Sequence, residues 1–343
     1  MSSEWLDHTM MKEPSMAQVV VYDEFGEADV LRIIDEPVGR PGAAEIVVRI
    51  EAFGINRLDQ MMRAGQYPAP IRLPHARLGV EGAGTVHAVG AGVEGLSVGD
   101  KVIITAVPDA DIRGTYAEYV TVPAQRVIGW PDGIDLIGAA ALWVSYSTAY
   151  GALIEKARTR PGDHILITAA SSGVGLAAIQ VANQIGAIPL AVTRSPDKKP
   201  ALLKAGAAAV FTSDAEDVAS AAKSYTGGLG VDIILDSVMG PGLAQLAGAA
   251  KAGGTLVTVG WLDPRPASFP MGQLTIYPYA SFEHTLDPAA VQRIASFLGA
   301  GLRSGALRPT VDRVFSFADV AEAHRYLEQG QHIGKIVVTH SPE

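Results

Sequence analysis

No cysteine occurs anywhere in the 343 residues. That excludes disulfides, thiolate-bound zinc, iron–sulfur clusters and thiol nucleophiles. Positive charge is also short. The 27 Lys and Arg stand against 36 Asp and Glu, a net charge of −9, with no dense basic run, so nucleic acid is not an expected partner. No uninterrupted apolar stretch approaches the ~20 residues that span a bilayer, and the N-terminus lacks a basic start followed by an apolar segment. The expectations are no membrane partner and a cytoplasmic location. The eight histidines show no H-E-x-x-H or similar ligand spacing.

Apolar residues, by contrast, make up 48% of the chain, enough for two sizeable cores, and two domains is the expected count. Residues 1–15 (MSSEWLDHTMMKEPS) show no sustained period and are expected to form a leader outside the core, disordered in part. From Ala17 to about Val127, short β-like runs (AQVVVYD, EIVVRIEAFGI, GAGTVHAVG, DKVIIT, AEYVTVP) are split by Gly and Pro, which reads as a mostly antiparallel β domain. The period changes near Ala139. A helical stretch through Leu142, Tyr146, Ala149 and Leu153 leads into strands at 164–170, 188–194, 208–212, 231–237 and 254–260 that alternate with helices. Such alternation builds an α/β domain around a doubly wound parallel sheet. A helix from Asp287-Pro288 through Gly301, a strand at 313–317, a helix from Asp319 to about Glu328 and a terminal strand at 334–339 follow. The expected divisions are 16–138, 139–283 and 284–343.

The densest signal is His164 to Gly175, an apolar strand running into Ala-Ser-Ser-Gly-Val-Gly and then a helix beginning Leu176-Ala177-Ala178-Ile179. A helix start of this kind aims unpaired backbone N–H groups and a positive dipole end at a dinucleotide pyrophosphate, and glycine lets the main chain approach it. Ser172, Gly173, Val174 and Gly175 are therefore expected to bind cofactor. The first glycine of G-x-G-x-x-G is missing, so this expectation rests on the flanking strand and helix; a plain strand–helix turn is the competing reading.

The segments GINRLDQMMRAGQYP (54–68), LGVEGAGTVHAVGAGVEGLSVGDKV (78–102), GTYAEYVTVP (114–123), STAYGAL (147–153), AASSGVGLAAIQVA (169–182), LLKAGAAAV (202–210), GVDIILDSVMG (230–240) and HIGKIVV (332–338) occur in this order. Together they resemble the medium-chain dehydrogenase/reductases, in the zinc-independent, quinone oxidoreductase-like branch. The resemblance implies a GroES-like β domain, a Rossmann-type dinucleotide domain, a C-terminal segment that returns to the first domain, and a cleft between the two. It further implies a homodimer joined at the edge formed by strand 254–260 and the segment around 268–280. Zinc-dependent members place a cysteine ligand where Asn56 stands, and a histidine before glutamate where this chain has Val80-Glu81. Both ligand positions are lost, so no metal is expected. Without a Lewis acid, alcohol oxidation would need another base.

Twenty residues beyond Gly173, the second strand ends in Thr193-Arg194-Ser195 with no carboxylate for a ribose 2′-OH. Arg194 can pair with a 2′-phosphate and Ser195 can donate to it. Lys198 lies where the resembling family often keeps a phosphate-contacting lysine. NADPH is expected over NADH. The competing reading makes Ser195 or Asp197 a helix cap, with the lysines in water.

The resemblance puts Asn56 at the cleft floor, where its amide would hold a substrate carbonyl or cofactor group. Asp59 is expected to fix the loop. Tyr67 is the best protonatable candidate beside the cleft. By resemblance, Thr148 backs the nicotinamide, Gly260 and the strand end at Asp236-Ser237-Val238 edge it, and Lys335 reaches the pyrophosphate. Trp143 and Tyr146 are expected in the substrate pocket, though aromatics at helical spacing also suit a core. The expected activity is hydride transfer from NADPH to an apolar quinone or to the C=C bond of an α,β-unsaturated carbonyl. A metal-free alcohol/ketone oxidoreductase and a non-catalytic NADPH-binding protein are the alternatives.

Overall fold

A computed structural model describes residues 15–340, so the expected leader lies outside the described residues except for Ser15. The N-terminal half is built of short strands: β1 (Met16–Val21), β2 (Arg32–Pro37), β3 (Glu45–Ile55), then helix α1 (Arg57–Arg63), β4 (Gly82–Val89), β5 (Lys101–Ile104), α2 (Ala110–Arg113), β6 (Tyr119–Pro123) and β7 (Val127–Gly129). β1 and β2 form a separate antiparallel ribbon. The long β3 pairs antiparallel with both β4 and β6, and its alternation places Ile46, Val48 and Ile50 in one core, which Phe53 joins beyond a register shift between Ile50 and Ala52.

The chain then crosses to a second unit through α3 (Leu136–Ala140) and α4 (Trp143–Tyr150). α4 runs on into one wider turn, Gly151–Lys156, where the sequence pattern suggests a single helix. The strands and helices that follow are β8 (His164–Ile167), α5 (Gly173–Ile185), β9 (Ile188–Thr193), α6 (Lys199–Lys204), β10 (Ala209–Thr212), α7 (Val218–Tyr225), β11 (Val231–Asp236), α8 (Leu243–Ala247), β12 (Ala250–Thr258) and β13 (Leu274–Pro278). They make a six-stranded, all-parallel sheet in the order β10-β9-β8-β11-β12-β13. Strands such as HILI and IPLAVT are almost continuously apolar because both faces of this sheet are covered by helices. α5 buries Leu176, Ile179 and Val181, each contributing ~1.5–3 kcal/mol relative to exposure. It stops at Gly186, whose φ of 88° an L side chain rarely adopts.

The last elements are α9 (Phe282–Thr285), α10 (Pro288–Ser304), β14 (Val311–Ser316), α11 (Val320–Gln329) and β15 (Lys335–Thr339). β15 pairs antiparallel with β3 and parallel with β14, closing the seven-stranded first sheet. The return to the first unit therefore begins at β14 and not at residue 284. α10 buries Val291, Ile294 and Leu298 in the core that holds α4 and α5, because its apolar stripe matches the helical layer over the parallel sheet. Pattern reading missed three strands: β2 and β13, both mostly half-buried or exposed, and β7, which is three residues long. Among the described residues, no helix is long and apolar enough to cross a membrane.

Candidate active site

The Gly-turn sits at the C-terminal end of β8, the central position from which strand order runs both ways. Open parallel sheets bind ligands at such a switch point. Ser172 caps α5, its Oγ accepting from Gly175 N at 3.1 Å, which leaves the N–H groups of Gly173 and Val174 at the helix start without an intrahelical acceptor. A Cβ on Gly175 would lie 2.6 Å from the carbonyl oxygens of both Ala169 and Ala170, so only glycine lets helix and turn close this tightly.

The first unit forms the outer wall of this turn. Gly334 N donates to Ser171 O at 2.8 Å, and Ser172 and Gly334 form a parallel bridge. Lys198 Nζ donates to Gly330 O (3.1 Å), His332 O (2.9 Å) and Ser171 Oγ (3.3 Å). With those bonds made, Lys198 ties the C-terminal strap to the Gly-turn. Ser195 caps the short turn ahead of α6, accepting from Asp197 N at 3.3 Å, and Thr193 is buried with its hydroxyl turned to Ser195 O. Arg194 remains exposed at the end of β9 and forms no ion pair among the described residues. Arg57, at the first turn of α1, comes from the other unit to the same region: burial, and then the charge of Arg194, hold Arg57 below the usual guanidinium range. His332 lies among them, pushed down to about 4 by burial and by Lys198 and Arg57. Arg57 was not singled out by sequence reasoning. Only the fold brings it to Arg194.

Lys335 does not reach toward a pyrophosphate. Its ammonium donates to Ile55 O (3.0 Å), Asn56 Oδ1 (2.7 Å) and Glu81 Oε1 (2.6 Å), all three of its hydrogens engaged. Its stem passes beneath Gly173, where an added Cβ would be 2.7 Å from Lys335 Cδ. Asn56 is likewise committed: its Nδ2 donates to Gly54 O (3.3 Å) and Glu81 Oε1 (3.0 Å). With its amide fully occupied, Asn56 is a structural member of the floor, and the role of holding a substrate carbonyl does not fit its geometry.

Asp59 Oδ2 accepts from Asn56 N (2.8 Å) and Tyr116 OH (3.1 Å), as expected of a loop-fixing residue. It is fully buried, and burial pushes its carboxyl up to about 7 despite the lowering pull of Asn56 N–H and Lys335. A folded value above the ordinary aspartate range means that the stabilisation is present below about pH 4 and is lost as pH rises through the folded value. His324, held down to about 3 by burial and Arg63, contributes the opposite slope, losing stability as pH falls. The thermal midpoint of the wild type should therefore fall relative to that of Asp59→Asn between about pH 4 and about pH 7. A pH-independent difference would contradict this.

Trp143 and Tyr146 are core residues and not pocket walls. Trp143 is 0% and Tyr146 2% exposed, and Tyr146 OH donates to Gln180 Oε1 of α5 at 2.8 Å. Their three-residue spacing turns both to the helical layer between the sheets. Thr148, on the same helix, is buried with 7% exposure. Tyr67 is half-buried on the first core, burial pushes its phenol up, and its hydroxyl has no hydrogen-bond partner among the described residues. At the end of β11, Asp236 is buried and accepts from Thr168 Oγ1, Val238 N and Met239 N, holding the strand end against which Gly260 lies. A Cβ there would be 3.3 Å from Ser237 O. Among the described residues, no group of three or more His, Asp or Glu is placed to hold a metal.

A β-domain whose last strand arrives from the chain end, joined to a parallel sheet with a Gly-turn at its switch point, defines a two-domain dinucleotide-binding protein. Residues 42–132 match the alcohol dehydrogenase GroES-like domain, and residues 205–338 match the family described as zinc-binding dehydrogenase. Human quinone oxidoreductase is 30% identical over 92% of this chain and 95% of its own length. A phenolphthiocerol/phthiocerol polyketide synthase protein of Mycobacterium tuberculosis is 31% identical over 92% of this chain, which spans 14% of that much longer protein. Among solved structures, Escherichia coli quinone oxidoreductase complexed with NADPH superposes with a TM-score of 0.87 at 26% identity, covering 94% of this chain and 100% of that one. The chain belongs to the quinone oxidoreductase-like, zinc-independent branch of the medium-chain dehydrogenase/reductases.

Proposed function

We propose that this protein is an NADPH-dependent reductase that delivers a hydride, without a metal, to a quinone or to the β-carbon of an α,β-unsaturated carbonyl. The observation that carries the reading is the pairing of a glycine-walled helix start with arginines and no carboxylate at the end of β9. The residues fit the cofactor. Gly173 and Val174 N–H groups would hold its pyrophosphate, and Arg194, with Arg57 from across the cleft, would balance a 2′-phosphate. When bound, the nicotinamide supplies the hydride.

What remains for the chain is to orient, exclude water and handle one proton. Thr148 and Gly260 would flank the nicotinamide, and the buried strand end at Asp236 keeps Gly260 in place. Hydride addition leaves negative charge on the acceptor oxygen, which must be stabilised and then protonated. Asn56 is occupied, so Tyr67 is assigned that task. Its raised pKa keeps it a donor, and its hydroxyl is unpaired among the described residues. Tyr67→Phe should lower kcat by ~10²-fold with an enone while the NADPH Kd stays unchanged; an equal kcat would remove Tyr67 from the chemistry. The active form is assigned as a homodimer joined along β13, an edge strand of the parallel sheet, near which Phe269 and Met271 are 76% and 86% exposed.

A further inference from the structure

Glu81 is 0% exposed, yet nothing in the hydride transfer uses it. Its Oε1 accepts from Lys335 Nζ (2.6 Å) and Asn56 Nδ2 (3.0 Å), and its Oε2 accepts from Val144 N at 2.8 Å. Val144 is the second residue of α4, so the carboxylate also meets the positive end of that helix. One side chain thus joins the β3–α1 corner, β15 and the helix that enters the second unit. Room for it is made by Gly54, where a Cβ would lie 2.6 Å from Glu81 Oε1, 2.7 Å from Ala140 O and 2.9 Å from Lys335 Cε. The far side of the same cluster touches the Gly-turn, since Lys335 Cδ and Ser145 Oγ would each be 2.7 Å from a Cβ on Gly173.

We propose that Glu81 is a positioning residue that sets the helix bearing Thr148 and the lysine stem under the Gly-turn in fixed relation, so that the two units meet the cofactor in one geometry. The proposal rests on the reductase reading for its functional consequence and on α4 for its structural one. A buried ion pair is weak evidence of stability in itself, because two apolar side chains of similar volume serve as well. What apolar side chains cannot replace is the acceptor for Val144 N–H and the hold on Asn56. Stability and positioning therefore separate in a double variant.

The test compares wild type, Glu81→Gln and Glu81→Met/Lys335→Met by thermal unfolding, by hydrogen exchange of residues 143–150 in the cofactor-free protein, and by calorimetric NADPH binding. Glu81→Gln should speed exchange in the first turn of α4 by at least ~10-fold and weaken NADPH by a similar factor. The double variant should regain part of the thermal midpoint that Glu81→Gln loses, because no charge is left buried without its partner, while exchange and affinity stay impaired. Recovery of all three, or unchanged exchange in Glu81→Gln, overturns the proposal. If wild type itself does not bind NADPH but exchange responds as expected, positioning of α4 stands and the reductase reading fails.

Discussion

Gly175→Ala should abolish measurable NADPH binding, weakening it by at least ~100-fold, about 2.7 kcal/mol. The added methyl would meet Ala169 O, Ala170 Cα and Ala170 O, each at 2.6 Å. All three are backbone atoms of the turn itself, with no flexible side chain to yield, so the start of α5 must move away from β8. That movement takes the N–H groups of Gly173 and Val174 off the pyrophosphate position. Gly173→Ala provides the contrast. Its methyl would meet Lys335 Cδ and Ser145 Oγ at 2.7 Å, both side-chain atoms that can shift, and the loss should be nearer ~10-fold. Calorimetric titration of both variants checks the order. Unchanged affinity in Gly175→Ala would mean that the turn does not hold the cofactor.

Arg194→Glu should reverse the cofactor preference, with NADPH weakened by ~100-fold and NADH strengthened. Hydrogen bonds to a charged group contribute ~1.5–3 kcal/mol, and a carboxylate at the end of β9 both removes that bond and repels the 2′-phosphate while restoring the usual partner of a ribose 2′-OH. Lys198→Met separates the lysine's part. Since Lys198 holds Gly330 O and His332 O, its loss should loosen the C-terminal strap and weaken NADPH and NADH alike. Ratios of Kd for the two cofactors decide between these roles.

The Gly-turn was legible because it is local: strand, turn and helix follow one another within His164–Ile185, and the periodicity changes on either side of it. The parallel sheet followed from the same alternation of strand and helix. The lysines were legible as charges but not as partners. Lys198 and Lys335 are long, flexible side chains, and what they bond to is fixed by backbone carbonyls 132 and 280 positions away in the chain. Glu81 was visible only as a residue beside a missing metal ligand, and its three partners come from three distant segments. Trp143 and Tyr146 show the limit of periodicity, which marks a helix face as apolar without saying whether another helix or a ligand covers it.

Metal-free hydride transfer from NADPH to a conjugated acceptor is open to a single decisive assay. NADPH oxidation is followed anaerobically in the presence of a chelator, against matched quinones and enones, with products identified by mass spectrometry. Turnover should be unaffected by the chelator and give quinol or the saturated carbonyl, with NADH a poorer donor. Binding of NADPH with no oxidation by any acceptor in the panel, or activity confined to alcohols and simple ketones, would refute the proposed reaction.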